Sequence, residues 1–248
     1  MSKIVLMYHD IYCDSVLESG FPYKSTSQYK LRVDEFESHV KAVKEYCDVH
    51  DNVEVVFTFD DGGVSFFTLA APMLEKYGFR GIFFISTKYL NTPTFLTNDQ
   101  LSELVQRGHV IGSHTHTHSI LTDLSNEEIE NEWSESIKCL SRYIRDDVIA
   151  SIPQGYGNTA VVKKALKARI RELYTSVPTI KIEQVEDMLI IGRYVVYQGM
   201  TSDDVINIIA NKWRRRMMYA KWCLLSGFKT ILGKKYDVFK AFILKIIH

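Results

Sequence analysis

Two adjacent carboxylates, Asp60 and Asp61, follow the apolar run Val53–Phe59 and are themselves followed by Gly62 and Gly63. Successive side chains on extended backbone point to opposite faces, so the pair can do two jobs, one binding a metal while the other stays free as a base. Further along, His114, His116 and His118 alternate behind the short apolar run 109–112. Imidazole is the commonest neutral ligand for borderline divalent metals, and two histidines with one carboxylate leave positions open for water and substrate. That is the coordination of a hydrolytic site and not of a closed structural one. A metal there would lower the pKa of bound water to about 7 and polarise a carbonyl.

The elements that must carry these residues are legible in the periodicity. Residues 53–59 are β-branched and aromatic and predict a buried strand, and Phe67, Ala70, Ala71 and Leu74 predict a helix over 64–77. A strand follows at 81–85, then a capping box, Thr97 with Gln100, opening a helix through Arg107, and a further strand at 109–112. Ser125 and Glu128 form a second capping box, ahead of an apolar stripe of Ile129, Trp133, Ile137 and Leu140. Strands are expected near 148–152, 174–177 and 188–196, and Asp34 with Glu37 is expected to cap a helix carrying Phe36, Val40 and Val43. Strands alternating with helices predict an α/β fold with a mainly parallel sheet whose polar motifs sit just after strands, where ligands bind in open sheets and barrels alike. From about residue 202 the strand signal stops, and Val205, Ile208, Ile209 and Trp213 begin a basic helical tail.

The composition agrees with one sizeable core. The chain has 248 residues, 46% hydrophobic and 24% charged, with 13 glycines and 5 prolines, which excludes disordered, collagen-like and low-complexity classes. Cys13, Cys47, Cys139 and Cys223 have neither zinc-knuckle nor disulfide-framework spacing. Net charge is zero but unevenly placed: residues 212–248 hold ten basic residues and one acid, Asp237, so the tail is about +9 and the body about −9.

Thr58-Phe59-Asp60-Asp61-Gly62 resembles the first motif of the polysaccharide deacetylases (the NodB-homology or carbohydrate esterase 4 group), and His114-Thr115-x-x-His118 resembles their second. The approach, Arg107 to Ser113, is also similar, and the likeness runs over about residues 1–200. The resemblance implies a distorted (β/α) barrel over 1–200 with a basic helical extension at 201–248. It also implies metal-dependent removal of acetyl groups from an N-acetylated sugar or glycan precursor. It assigns Asp61, His114 and His118 as metal ligands and Asp60 as catalytic base, leaving His116 to line the site or cap the loop and Thr115 to steady the loop through its hydroxyl. Zinc is the default metal for these donors, with cobalt or nickel as substitutes.

Ser151-Ile152-Pro153-Gln154-Gly155 resembles the family's proline loop and points to the Gln154 backbone amide as an oxyanion donor. The arginine that precedes this proline in many members is absent, and Arg193 is the candidate to replace it. The family's C-terminal Leu-x-x-x-His motif does not follow Arg193; His248 ends the basic tail. Instead, Leu6-Met7-Tyr8-His9 resembles the Tyr-His motif of the subgroup typified by biofilm poly-N-acetylglucosamine deacetylases, and makes His9 the candidate acid, with Asp10 beside it to orient the ring. Two rivals stand beside this: hydrolysis of another amide or cyclic imide, and a degenerate domain that only binds glycan. The start of the chain, interrupted by His9 and Asp10, has no leader-like apolar run, so a cytoplasmic location is expected. The tail 212–248 is a candidate for peripheral contact with anionic membrane, or for a helical cap on the acidic barrel. Nucleic acid is not an expected partner, because the basic residues are confined to the tail.

Overall fold

The structure is a computed structural model that describes residues 2–144, 147–155 and 157–232, with side chains through Ser226. Among these residues eleven strands and seven α-helices alternate in the manner the periodicity predicts. The helices are α1 (Val33–Val49), α2 (Ala71–Lys76), α3 (Asn98–Gln106), α4 (Asn126–Leu140), α5 (Thr159–Lys167), α6 (Ser202–Ala210) and α7 (Lys212–Leu232). The main strands are β1 (Ser2–Tyr8), β4 (Val53–Phe59), β5 (Gly81–Ile85), β6 (Val110–Ser113), β7 (Val148–Ser151) and β8 (Ile170–Tyr174). Three shorter ones, β9 (Glu183–Val185), β10 (Met188–Ile191) and β11 (Tyr194–Val195), complete a nine-stranded sheet in the order β11-β1-β4-β5-β6-β7-β8-β10-β9. Every pairing in it is parallel except β9 with β10. Two short strands, β2 (Ile11–Tyr12) and β3 (Leu31–Arg32), form a separate parallel pair.

The expected single strand over 188–196 is two strands at opposite ends of the sheet. β10 pairs with β8, β11 pairs with β1, and only Gly192 and Arg193 lie between them. Three peptide steps span at most about 11 Å, so the sheet must curl until its ends meet. The result is the distorted (β/α) barrel that the resemblance implies, with a seam closed by covalent chain and not by a hydrogen-bonded ladder. The strand expected at 174–177 lies earlier, at β8, because its backbone is in register with β7, while Thr175 N–H already donates to Ile191 at 2.9 Å and starts the seam.

Alternation along the strands sorts side chains to two sides. Outward residues such as Ile4, Leu6, Phe57, Phe59, Phe83 and Ile111 join Phe36, Val40 and Val43 of α1 in the main core between sheet and helices. A second outer cluster gathers Ile129 and Trp133 of α4 with Val161 and Ala165 of α5 and Leu173 of β8. The inward residues Val5, Phe84, Ile149, Tyr174 and Ile191 plug the barrel. One residue or two further along the same inward rows come His9, Asp60, His114, Ser151 and Arg193, so an apolar plug gives way to a polar floor at the strand C-termini.

Three local expectations shift. Glu35 opens α1, accepting from the Arg32 backbone N–H at 3.0 Å, while Glu37 accepts from Lys76 and, at 3.2 Å, from the Tyr77 hydroxyl. The helix expected over 64–77 begins as a π-helical turn, Phe66–Ala70, before α2. Trp213 does not extend the apolar face of α6, because the Asn211 side chain accepts from Trp213 N–H at 2.9 Å and starts a new helix. Val205, Ile208 and Ile209 of α6 are buried in the main core, whereas Trp213 on α7 is exposed.

Gly112 sits on an inward row directly beneath the polar floor. A Cβ there would come within 2.7 Å of the Phe84 ring and 2.9 Å of Ile149, so the plug closes only against a bare backbone. Gly112→Ala should destabilise the fold by about 1–3 kcal/mol through overpacking, read as a lower urea midpoint with unchanged slope; an unshifted midpoint would show that the Phe84 ring gives way freely.

Candidate active site

Asp60 and Asp61 leave β4 with opposite fates. Asp60 continues the inward row and is held by Arg193 through two parallel contacts of 2.7 Å, Nη1 to Oδ1 and Nη2 to Oδ2. Arg193 is wholly buried; its Nε also donates to the Thr175 carbonyl at 3.1 Å, and its guanidinium lies 5.4 Å above the Phe84 ring. Burial pushes the Asp60 carboxyl up, but the Arg193 guanidinium beside it outweighs burial and holds the group below its ordinary value. The sequence reading of Arg193 as the replacement for the missing arginine thus meets a bidentate, buried pair.

Asp61 turns away in a left-handed conformation, φ 92°. Its Oδ1 lies 3.1 Å from His118 Nε2 and 3.5 Å from His114 Nε2, yet, although buried, it makes no well-aligned hydrogen bond among the described residues. The donor atoms of Asp61, His114 and His118 lie within 4.8 Å of one another. His114 Nδ1 contacts the Ser151 carbonyl at 3.1 Å and the Ser151 hydroxyl at 2.6 Å, and that hydroxyl donates to Asp60 Oδ1 at 3.3 Å. This network places the proton on Nδ1 and leaves the Nε2 lone pair towards Asp61. One unpaired carboxylate oxygen converging with two imidazoles is a fitting donor set for zinc or a similar divalent ion.

The loop after β6 is shaped for this convergence. Thr115 and His118 are both left-handed, at φ 63° and 62°, strain that persists only where surrounding contacts over-determine the backbone. Glu132 of α4 supplies them, accepting from the His116 N–H at 3.0 Å, the Thr117 N–H at 2.8 Å and the Thr117 hydroxyl at 2.6 Å. His116 stands apart from the trio, its Nδ1 2.9 Å from the Thr87 hydroxyl, as expected of a loop cap. Thr115 differs from expectation: its hydroxyl is buried without a partner among the described residues, and the residue fixes the loop through its backbone, N–H to Ser113 Oγ and carbonyl to Thr87 N–H.

Asp60, Asp61, His114, His118 and Arg193 form the floor of a cavity of about 740 Å³. His9 lines it, its ring 4.7 Å from that of Tyr29, with Nδ1 buried and unpaired among the described residues. Burial lowers the His9 pKa against the pull of Asp61 and Asp60. Gln154 lines it too, left-handed at φ 56° in the turn after β7. His248 lies outside the described residues. Asp10 serves the loops and not the His9 ring: it accepts from Ser19 at 2.6 Å and Ser65 at 3.1 Å, with the Lys30 ammonium 3.9 Å away. Gly63 is bare for that reason, since a Cβ would fall 1.8 Å from Asp10 Oδ1.

The sequence reading passed over Ser151 as a link, Glu132 beside the Ile129 and Trp133 stripe, and the Asp10, Ser19 and Lys30 cluster. It also passed over the cavity's aromatic wall of Phe21, Tyr29, Tyr89, Tyr197 and Trp222. The tyrosine-rich stretch 23–29 was a usable signal for that wall.

YxkH of Bacillus subtilis is 30% identical over 148 residues, 59% of this chain and 53% of that protein. A peptidoglycan-N-acetylglucosamine deacetylase of Bacillus cereus is 29% identical over 123 residues, 49% of this chain and 56% of that protein. The chain thus spans about half the length of these curated relatives. The Streptococcus pyogenes deacetylase PplD, solved in complex with acetate, shares the fold with a TM-score of 0.67 at 20% identity, over 84% of this chain and 98% of that one. The polysaccharide deacetylase family model matches residues 49–173, half of the chain and the stretch that carries Asp60, Asp61, His114 and His118, and the chain belongs to that family.

Proposed function

We propose that the protein is a metal-dependent N-deacetylase that hydrolyses the acetamide of an N-acetylated sugar or glycan. The observation that carries this reading is the unpaired Asp61 Oδ1 converging with His114 and His118 beside an arginine-clamped carboxylate on a cavity floor. Asp61, His114 and His118 would hold a divalent ion, zinc by donor type, which supplies Lewis acidity and an acidified water when bound.

The chain's own residues have separable tasks. Arg193 takes one lone pair on each Asp60 oxygen and Ser151 another on Oδ1, so Oδ2 keeps a lone pair, 3.9 Å from His114 Nε2, to take a proton from the attacking water. As the water oxygen bonds the acetyl carbon, the Gln154 backbone N–H donates to the developing oxyanion. His9, on the cavity wall, gives a proton to the sugar nitrogen as the C–N bond breaks, releasing acetate and a free amine. Burial lowers the His9 pKa, and the Asp61 and Asp60 charges act against that lowering. The aromatic wall suits the apolar face of a sugar ring and excludes bulk water. The complete set of candidate groups disfavours a binding-only domain.

Asp60→Asn should bind zinc at the wild-type stoichiometry yet lose about 10²–10⁴-fold in acetate release from N-acetylated oligosaccharides, and chelation of the wild type should abolish release until zinc returns. An active Asp60→Asn enzyme, or a wild type indifferent to chelator, would overturn the mechanism. His9→Ala should fall by a similar factor on the acetamide but hardly at all on an activated aryl acetate, whose leaving group needs no proton; equal losses on both would remove His9 from that role.

A further inference from the structure

Helix α7 is apolar on two separate sides. At about 100° per residue, Met218, Trp222 and Leu225 fall on one side, and Trp213, Met217 and Leu224 within about 40° of one another on the other. The first side is accounted for: Met218 packs on the main core, Trp222 and Leu225 line the cavity, and Arg215 donates to the Ile208 and Ile209 carbonyls at 2.8 and 2.7 Å. The second side is not. Trp213, Met217 and Leu224 are 63%, 68% and 60% exposed, the most solvent-open large apolar side chains among the described residues of this helix.

The same rotation sets Lys212 and Arg216 along one border of this stripe and Arg214 and Lys221 along the other. Among the described residues none of these four is in an ion pair, and α7 contains no acidic residue. The Arg216 guanidinium lies 4.9 Å over the Trp213 ring, so even that charge sits beside an apolar surface. No helix among the described residues is long and apolar enough to cross a membrane. An apolar stripe bordered by cations, on a helix that does not span, is the arrangement that lies in the plane of an anionic bilayer surface.

We propose that the outer face of α7 docks on an anionic lipid bilayer. Because the inner face of α7 forms part of the cavity wall, docking holds that wall about one helix diameter, ~10 Å, from the lipid surface. The site is thereby presented to an N-acetylated sugar carried on a membrane anchor, an extension that rests on the deacetylase reading, whereas the docking itself does not.

The test is flotation of the full chain with vesicles of phosphatidylcholine alone and of phosphatidylcholine and phosphatidylglycerol mixed three to one. The chain should float with the mixed vesicles only, and Arg214→Gln, Arg216→Gln and Lys221→Gln should each weaken partitioning by about fivefold. A variant combining Trp213→Ser, Met217→Ser and Leu224→Ser should stop floating while keeping its retention on a heparin column. A wild type that floats with neither vesicle overturns the proposal, as does a triple-serine variant that floats undiminished, which would mark a face for soluble polyanions such as nucleic acid. For the substrate, the Arg214→Gln/Arg216→Gln variant should release acetate normally from a soluble N-acetylated oligosaccharide but at least about tenfold more slowly from the same sugar on a lipid anchor in mixed vesicles. Equal rates on the anchored sugar overturn that extension. No acetate from either substrate by the wild type overturns the deacetylase reading and the extension together, and leaves docking to be judged by flotation.

Discussion

The buried pair of Arg193 and Asp60 is the contact on which the rest of the molecule turns. An isolated carboxylate on the barrel floor would be forced neutral by desolvation, and an isolated guanidinium there would cost several kcal/mol. Two contacts of 2.7 Å, with further bonds from Ser151 and to the Thr175 carbonyl, offset that desolvation and fix both side chains in one geometry. Arg193 stands in the two-residue seam between β10 and β11, so the pair also ties the closing seam of the sheet to β4, the third strand in its order. Closure of the barrel and ionisation of the proposed base are in this sense one event.

Period-two alternation explains why the polar floor forms without disturbing the cores. The outward row of β4 places Phe57 and Phe59 in the main cluster, while its inward row runs Val56, Thr58, Asp60, from apolar plug to site in two steps. β6 repeats the pattern with Ile111 outward and Gly112 and His114 inward. A one-residue slip of either strand would bury a charge among the helices, so register is strongly enforced by the same residues that supply the chemistry. The strain at Asp61, Thr115, His118 and Gln154 is confined to the loops just past the strand ends, where backbone can turn without breaking a ladder.

How much of this was legible depends on how local each interaction is. Asp60, Asp61, His114 and His118 announce themselves because each pair sits within a few residues of a strand end, and a strand fixes where its last side chains point. Arg193 could be suspected as a spare charge, but its partner is 133 residues away and its position follows from curling of the whole sheet. Ser151 and Glu132 look ordinary in sequence, one a strand serine and the other a helix-face acid; only the fold brings them to His114 and the 116–117 backbone. The split of 188–196 into two distant strands was invisible to periodicity, which reads an apolar run but not the edge it pairs with. Asp10 was misread for the complementary reason: adjacency to His9 implied a shared task, whereas alternation sends the two side chains to opposite faces.

Helix α7 shows the same principle from the other side. A sequence-wide charge count marks the tail as basic but cannot say which of its apolar residues are already used. Packing answers that, because Met218, Trp222 and Leu225 are engaged with the barrel and cavity while Trp213, Met217 and Leu224 are not. The separation of charge then acquires a direction. A body of about −9 is repelled by an anionic surface and a helix bordered by Lys212, Arg214, Arg216 and Lys221 is attracted to it, so the molecule has one orientation of lowest energy, α7 first. Since Trp222 and Leu225 of α7 also line the cavity, the orientation that satisfies the charges is the one that brings that wall of the cavity nearest the surface.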